Sequence, residues 1–377
     1  SLCGTGAGDG KCLYGNQAVD GTASNFKVYN SRTGTKKDGV LTDAEGRKLL
    51  LDFTDVDVAK TRIISWDSTD NMFITLIRQW GAEYTRLTKE EKAKNPNIRK
   101  GDIMFYSEEN DNRAKVIDCL KFFKRLNNQK IFGVPKEFQQ SYSSAAFEQN
   151  QVMFMLCSSG GLSYNTAKWE NRFRVHALPY YDDGENVRKF VISQGADITL
   201  TKKVYFDKGK SAEQKEKAIY DCFKEIALIT TGDLQAEWCL QTGYYPCSKS
   251  ATDTAKYQKF LKEATPEGLE AYMAETGCTK AEAEAHAYES ATRVAYREGS
   301  NINESIYMDA DKNWTKFVDP AFIGSAKVRE LSKAIFEQVF IELAADAPDS
   351  AYDQKLLDCV IEHADIKARA QNINVVY

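Results

Sequence analysis

Residues 152–161 read VMFMLCSSGG, and this stretch indicates how the chain folds. A short, continuous apolar run is typical of a β-strand that is buried on both faces of a parallel sheet. The serines and glycines that follow predict a turn at the carboxyl end of this strand, and a helix can continue from Tyr164. The stretch therefore favours an α/β fold whose sheet is mostly parallel.

The segments on either side alternate between helix and strand patterns, as an α/β fold requires. Apolar residues recur at helical spacing over residues 68–80, and Gly81 follows as a stop signal. Ser211 and Gln214 form a capping box before another helix, whose core face is predicted to be Ile219, Cys222, Phe223 and Ile226. Further helices are predicted over residues 113–126, 327–343 and 352–371, strands over 173–178 and 190–200, a turn over 181–184, and loop over 1–40.

Composition places the chain among ordinary globular proteins. It has 377 residues, of which 42% are hydrophobic and 28% charged, so it is long enough for two domains with a core in each. The formal net charge is −4, and no run of Lys and Arg makes a concentrated basic face. We therefore expect no nucleic-acid partner and no binding to an anionic membrane surface. No apolar run approaches the ~20 residues of a membrane-spanning helix.

The sequence contains no pattern that predicts a catalytic, metal or cofactor site. Asp309 begins like a calcium loop, but Trp314 stands where the loop needs Gly and Pro320 where it needs Glu. No G-x-S-x-G motif is present, and the nine cysteines include no C-x-x-C pair. Cys3 and Cys12 could close a small loop, whereas the contexts of Cys157, Cys222 and Cys239 favour buried thiols. We expect no metal, no cofactor and no enzymatic activity.

A second informative stretch is GYYPCSKSA at residues 243–251, a tight turn with two aromatic residues. Together with four other segments in chain order, it resembles one family, the bacterial extracellular solute-binding proteins (family 1) of the maltose and glycerol-phosphate type. The segments span residues 66–74, 147–160, 178–196, 237–246 and 322–329. The resemblance covers about residues 60–345, and it rests on the order and spacing of the segments rather than on any one of them.

The resemblance implies a two-lobe, type II periplasmic-binding-protein-like architecture with interleaved lobes and a hinge. We expect residues 1–45 and 190–247 to form the first lobe and residues 46–189 and 248–377 the second. Family members have a longer amino-terminal stretch before the segment that begins at Trp66, so the first lobe is expected to be incomplete. The resemblance also implies a monomer in the cell envelope, in the periplasm or lipid-anchored to the outer face of the membrane, whose partner is a cognate ABC permease.

The implied function is the capture of a carbohydrate or a phosphorylated polyol in a cleft between the lobes. Trp66, Tyr244 and Tyr245 can stack on the C–H faces of a sugar. Exposed N–H groups at Ser158, Ser159 and Gly160, together with a helix dipole, favour an anionic or strongly polar oxygen. Gly195 permits a close backbone approach.

Arg329 completes this set of predicted ligand residues, because its planar guanidinium can hold a phosphate or carboxylate with two hydrogen bonds. With Ser158 and Ser159 it favours glycerol-3-phosphate and its diesters as ligands. Each residue also has a structural interpretation: Trp66 or Tyr245 as a core aromatic, residues 158–161 as a helix cap, and Arg329 as a surface ion pair. A carbohydrate-active enzyme, with paired carboxylates in the cleft, and a surface adhesin or interaction module without a small ligand remain alternative functions.

Overall fold

The computed structural model describes residues 11–14, 17–20, 36–37, 40–41, 61–87, 101–149, 151–162, 165, 175–195, 198, 209–262, 266–287, 291–322 and 324–372. The chain divides into two units, Ser1–Thr61 and Arg62–Tyr377. The lobe boundaries expected from the sequence stay a prediction.

The first unit contains two small antiparallel ladders. Strands β1 (Lys11–Tyr14) and β2 (Gln17–Asp20) form one ladder, and β3 (Lys36–Lys37) and β4 (Val40–Leu41) form the other. The loop predicted over residues 1–40 is therefore wrong for these strand residues, because short hairpins lack the longer apolar alternation by which strands are recognised. Apart from Thr61, the rest of the first unit lies outside the described residues.

The second unit is rich in helices and carries small sheets. Its main sheet has three parallel strands in the order β8 (Phe132–Gly133), β5 (Arg62–Trp66), β9 (Val152–Leu156). The strand predicted from the VMFML run is confirmed, but its burial on both faces is wrong, because the side chain of Phe154 is 41% exposed. Among the described residues β9 is an edge strand, and an edge strand has less cover than a central one.

Helices from both ends of the second unit pack against this sheet. The helix predicted over residues 68–80 is confirmed as α1 (Thr69–Gln79), and Gly81 ends it with a φ of +84°. Residues 113–126 lie in α2 (Asn112–Asn128), which is also as predicted. The other helices of this region are α3 (Ser144–Glu148), α11 (Ser325–Glu342) and α12 (Asp349–Asn372).

The first hydrophobic core lies between these helices and the sheet. Phe73 of α1 is at its centre, with its ring 5.8 Å from the ring of Phe105 and 5.5 Å from that of Phe336 in α11. Aromatic rings at these distances and tilted geometries bury large apolar areas and pack favourably. This core brings the amino-terminal ends of α1 and α11 together, which decides the surroundings of Arg329.

The second hydrophobic core is formed mainly by helices from residues 232–302. Its buried members are Leu162, Ala236, Ala251, Tyr257, Leu261, Ala295 and Tyr296. The helices of this region are α4 (Ala212–Ile229), α5 (Gly232–Thr242), α6 (Lys249–Thr252), α7 (Ala255–Lys262), α8 (Pro266–Thr276), α9 (Lys280–Ala287) and α10 (Ala291–Ile302), followed by a π-helical turn, Asn303–Tyr307. The expected lobe boundary at residues 247 and 248 lies inside this core.

Helix α4 confirms one prediction and corrects another. Ser211 and Gln214 make the predicted capping box, because the Ser211 hydroxyl accepts from the Gln214 N–H and the Gln214 side chain accepts from the Ser211 N–H. The predicted core face is wrong, since none of the described residues of α4 is buried and Phe223 is exposed. Apolar periodicity signals a face that can be buried, but the neighbouring elements decide whether it is.

The segments that join the two cores include short strands. β10 (Tyr181–Asp182) and β11 (Val187–Arg188) form a hairpin, whose predicted turn is confirmed by N–H donation from Glu185 and Asn186 to the Asp183 carboxylate. β12 (Phe190–Ile192) pairs in parallel with β13 (Thr315–Phe317) and is shorter than predicted. The strand predicted over residues 173–178 is wrong for its described part, residues 175–178. The remaining strands, β6 (Thr85–Leu87) and β7 (Gly101–Ile103), form an antiparallel pair.

As far as the described residues extend, no helix is long and apolar enough to cross a membrane.

Candidate functional site

The candidate site lies at the carboxyl ends of the adjacent parallel strands β5 and β9. Asp67 directly follows β5, and Cys157 and Ser158 directly follow β9. The Asp67 N–H donates to the Leu156 carbonyl at 2.8 Å, so the two strand ends meet. In open α/β sheets ligands bind outside the carboxyl ends of the strands. The turn predicted from the sequence therefore lies at the edge of the sheet where a ligand is expected.

Asp67 is a part of this edge that sequence reasoning did not select. One of its carboxylate oxygens accepts from the Ser144 N–H at 2.9 Å. The Ser143 hydroxyl donates to the carbonyl of Trp66 at 3.1 Å and lies 2.5 Å from the hydroxyl of Ser65. Burial raises the pKa of Asp67, and the hydrogen bonds from Ser144 and Ser143 offset only part of that rise. The strand end thus carries a partly desolvated carboxyl group.

Tyr244 lies directly on the turn that follows β9. The Ser158 hydroxyl accepts from the Gly160 N–H at 3.3 Å and caps a single 3-10 turn, Ser159–Gly161. A Cβ at Gly160 would stand 2.7 Å from Cζ of Tyr244, so the ring fits there only because residue 160 has no side chain. The Tyr244 side chain is 42% exposed. The structure therefore brings four predicted residues together: Ser158, Ser159, Gly160 and Tyr244.

The helix predicted from Tyr164 lies outside the described residues except for Asn165, so the helix dipole expected at this turn stays a prediction. Ser159–Gly161 is a 3-10 helix of three residues. A macrodipole develops from aligned peptide units over several turns, so one turn contributes its individual N–H groups and little more. The predicted preference of this turn for an anion stays a prediction.

Asn165 adds a buried amide beside the turn. The residue is only 4% exposed, and its Nδ2 lies 3.2 Å from the position that a Cβ on Gly161 would occupy. The amide interacts with the Cys157 thiol, but neither its nitrogen nor its oxygen has a hydrogen-bond partner of normal geometry. A buried polar group without a partner costs about 1–3 kcal/mol, so such groups are rare unless water or a ligand satisfies them. The sequence did not single out Asn165, because one asparagine within a predicted helix does not mark a binding site.

Cys157 lies between these two polar groups. Burial raises the pKa of its thiol to about 12, and the nearby negative charge of Asp67 adds to the rise, while the Asn165 amide opposes it. A thiol with so high a pKa stays protonated at neutral pH and behaves as a small apolar group. We therefore interpret Cys157 as a small apolar group at the end of β9.

Tyr245 points away from Tyr244 and into the second core. Its ring lies 5.5 Å from the ring of Tyr296 in an edge-to-face contact, and its hydroxyl packs against Gly299. Burial raises the pKa of this phenol. These contacts favour the structural interpretation of Tyr245 as a core aromatic, and its predicted stacking on a ligand stays a prediction.

Trp66 and Gly195 are not brought into contact with the turn by any described interaction. The Trp66 side chain is buried in the first core, although its carbonyl belongs to the edge of the sheet through Ser143. At Gly195 no described atom lies within 4 Å of the position of a Cβ. Open space around a glycine leaves its predicted role in close backbone approach untested.

Arg329 is held by acidic side chains. Its Nη1 donates to both carboxylate oxygens of Asp319 at 2.7 and 2.8 Å, and its Nη2 and Nε donate to Asp70 at 3.0 and 3.2 Å. Nη2 also donates to the Asn71 side-chain oxygen. Asp70 in turn accepts a hydrogen bond from the hydroxyl of Ser68 at 2.5 Å. Ser68 directly follows Asp67 in the chain. A phosphate could reach the Arg329 fork only by displacing carboxylates, so its predicted ligand role stays a prediction.

Within the described residues, no three His, Cys, Asp or Glu side chains come together as ligands for a metal ion.

The raised pKa of Asp67 predicts an unusual response of stability to pH. The folded protein binds this proton more tightly than the unfolded chain does. The protonated carboxyl group therefore stabilises the fold below the unfolded pKa of about 3.9. This contribution is lost as the pH rises through the folded pKa. Asp67→Asn keeps an acceptor for the Ser144 N–H and removes the charge. We expect this variant to be more stable than the wild type at pH 7, with the difference vanishing below pH 4, as measured by urea unfolding.

Asp183→Asn is the matched control for this measurement. Hydrogen bonds from Asn186 and Glu185 lower the pKa of the exposed Asp183, so its stabilising contribution is present at neutral pH and is lost in acid. Its substitution should therefore act with the opposite sign at pH 7. A loss of stability at pH 7 in both variants would contradict the assignment of Asp67 as a desolvated carboxyl group.

The chain was compared with protein families, curated proteins and solved structures. No protein-family model matches the chain, and no curated protein matches it. Among solved structures, it is similar to a "putative oligosaccharide periplasmic-binding protein" from Synechococcus sp. MITs9220, with 11% sequence identity and a TM-score of 0.43. The similarity covers 82% of this chain and 62% of that protein, so the chain spans less than two thirds of its length. A likeness of this degree carries no argument about what the site binds.

Proposed function

We propose that this chain is part of a solute-binding protein that captures a neutral carbohydrate at the carboxyl ends of β5 and β9. The ligand lies between the 158–161 turn and the ring of Tyr244. Asp67 and Asn165 provide polar groups that hydrogen-bond to its hydroxyls. The proposal includes the two-lobe architecture expected from the sequence.

The observation that carries the proposal is the buried amide of Asn165 at the same turn as the exposed ring of Tyr244. Apart from its interaction with the Cys157 thiol, neither the nitrogen nor the oxygen of this amide has a hydrogen-bond partner of normal geometry among the described residues. Tyr244 offers a flat apolar face, and 42% of the residue is exposed to solvent. Sugars present the matching features, which are C–H patches and hydroxyls that both donate and accept.

The charges of the site favour a neutral ligand over a phosphorylated one. Asp67 places a carboxyl group at the strand end, and the cation of Arg329 is balanced by Asp70 and Asp319. An anion would meet a like charge at Asp67 without gaining a free cation in return. The preference for glycerol-3-phosphate that the sequence suggested is therefore replaced here by a preference for uncharged sugars.

The biological role that fits this proposal is delivery of the sugar to a membrane permease of the ABC class. The protein would then act in the cell envelope, in the periplasm or lipid-anchored to the outer face of the membrane, as a monomer and without catalysis. This part of the proposal rests on the family resemblance of the five sequence segments.

Isothermal titration of the full chain against maltose, longer neutral oligosaccharides and glycerol-3-phosphate tests the proposal. We expect a neutral sugar to bind and glycerol-3-phosphate not to bind. Asn165→Ala should weaken the binding of that sugar about tenfold, because the ligand loses a buried hydrogen bond worth about 1.4 kcal/mol. Tyr244→Ala should weaken it at least as much, through loss of the stacking face.

Tyr220→Ala is the matched control, since Tyr220 is an exposed tyrosine on α4 whose ring interacts with Lys224. It should leave the affinity unchanged. Preferential binding of glycerol-3-phosphate would overturn the proposed ligand class. Binding of a sugar that is insensitive to both Asn165→Ala and Tyr244→Ala would place the binding site elsewhere.

A further inference from the structure

The segment that carries Tyr244 has few attachments of its own. We call residues 244–247 the tyrosine loop; it joins α5 to α6. At its start, Gly243 has a φ of +84° and donates its N–H to the Cys239 carbonyl at 2.9 Å. At its end, the Ser248 N–H donates to the Gln235 side chain at 3.0 Å. Between these two points Pro246 has no N–H to donate.

One hydrogen bond from the second core reaches the main chain of this loop. The Tyr296 hydroxyl donates to the Tyr244 carbonyl at 2.6 Å. No other described residue makes a hydrogen bond with a main-chain group of residues 244–247. This bond restrains the main chain of the loop, beside the side-chain contacts of Tyr245 in the second core and of Cys247, whose thiol accepts from Gln235 at 2.9 Å.

Tyr296 is well placed to act as a fixed donor. It lies in α10 and is 3% exposed, and its ring is held between the rings of Tyr245 and Phe260 at 5.5 and 5.6 Å. Its hydroxyl also interacts with that of Tyr257, which donates to Ser300 at 3.0 Å. Burial raises the pKa of the Tyr296 phenol, so it keeps its proton and remains a donor at any physiological pH.

The Tyr244 ring packs closely on Gly160, so little displacement of the ring is possible without losing this contact. A Cβ there would already stand 2.7 Å from the ring, and one at Gly243 would stand 3.3 Å from the Ser159 carbonyl oxygen. Contacts this close fix the distance between the loop and the turn but not the tilt of the ring. A hydrogen bond to the carbonyl of the same residue restrains the plane of the Tyr244–Tyr245 peptide, and with it the backbone from which the Tyr244 side chain extends.

We infer that Tyr296 is a positioning residue that holds the Tyr244 ring against Gly160 through its hydrogen bond to the Tyr244 carbonyl. This inference deepens the proposed function and rests on it only for the claim that a ligand uses the resulting surface. Tyr296 itself lies in the core and does not touch the ligand. Its role is to preorganise the binding face, so that the ligand does not have to order the loop.

The test uses the full chain labelled with 15N-glycine and the variant Tyr296→Phe. The chain has 23 glycines, and the Gly160 amide signal is identified by its loss in Gly160→Ala. Because Gly160 lies under the Tyr244 ring, Tyr244→Ala should displace this signal by removing the ring current. We expect Tyr296→Phe to move it by at least half of that displacement, and to lower the affinity for the neutral sugar about fivefold.

Tyr84→Phe is the control for the general loss of a buried hydroxyl. Tyr84 lies in the first core and its hydroxyl is 3.1 Å from that of Ser332, so its substitution removes one comparable interaction at another place. It should leave the Gly160 signal and the affinity unchanged. A purely structural role for Tyr296 predicts that the two variants behave alike.

The two readouts separate the inference from the proposed function. An unmoved Gly160 signal in Tyr296→Phe, or an equal movement in Tyr84→Phe, overturns the positioning role. A displaced Gly160 signal without binding of any sugar to the wild type supports the positioning role and overturns the proposed function. A displaced signal with unchanged sugar affinity overturns the link between loop position and binding.

Discussion

Arg329→Ala is expected to lower the free energy of unfolding by about 2–3 kcal/mol. Removing one partner of a buried ion pair costs about 3–5 kcal/mol, because the remaining charges are left unpaired in a poor solvent. The Arg329 side chain is 25% exposed, and its partners Asp70 and Asp319 are 21% and 16% exposed, so water screens part of that cost. The expected loss of stability remains large because Arg329→Ala removes the cation that pairs with both Asp70 and Asp319.

Urea unfolding of the full chain measures this effect, and Arg329→Lys is the informative companion. Lysine keeps the positive charge, but its single nitrogen cannot replace Nη1 at Asp319 and both Nε and Nη2 at Asp70, so an intermediate loss of about 1 kcal/mol is expected. Asp319→Asn combined with Arg329→Ala should cost less than the sum of the two single variants, since the residues form one network. A stability loss below about 0.5 kcal/mol for Arg329→Ala would mean that the network is a weak surface pair.

The same variant distinguishes the structural role of Arg329 from the ligand role predicted from the sequence. If Arg329 holds a phosphate, glycerol-3-phosphate should raise the unfolding temperature of the wild type and not that of Arg329→Ala. The contacts with Asp70 and Asp319 favour the opposite result, in which neither protein responds to this ligand.

Gly299→Ala is expected to lower stability by about 1–3 kcal/mol, although alanine is the better helix former. Gly299 lies in α10, where exchange of glycine for alanine would by itself stabilise the helix by about 1 kcal/mol. A Cβ at this position would overlap the Tyr245 hydroxyl and stand 3.0 Å from Cζ of the same ring. Overpacking a core in this way forces side chains from their rotamers at a typical cost of about 1–3 kcal/mol.

The cause of this loss can be isolated with a second substitution. Tyr245→Phe removes the overlapping hydroxyl, so Gly299→Ala should be less harmful in the Tyr245→Phe background than in the wild type. Gly209→Ala is the matched control, because no described atom lies within 4 Å of the position of its Cβ, and it should change stability by less than about 0.5 kcal/mol. If Gly299→Ala proved stabilising, Tyr245 would not be packed against α10 as the structure has it.

Local patterns in the sequence were sufficient for several elements. Helix α1, the capping box of α4, the β9 strand and the turn at Asp183 were all predicted, because each depends on residues within a few positions of one another. Periodicity, caps and turn-forming residues act over that range. The expectation of a site at the end of this strand came from the same local pattern in residues 152–161.

Contacts between distant parts of the chain decided the rest. Arg329 meets Asp70 across 259 positions, and Tyr296 meets Tyr244 across 52, so no spacing rule connects these residues. Whether the apolar face of α4 is covered, and whether the Asn165 amide finds a partner, depends on which elements become neighbours. The sequence by itself determined α1, the capping box of α4, the β9 strand and the turn at Asp183, and only the tertiary structure decided which charges are balanced and which polar groups lack a partner of normal geometry. The physical reason is that secondary structure follows from short-range hydrogen bonds and side-chain periodicity, whereas burial, pKa and hydrogen-bond satisfaction depend on every group packed around a side chain.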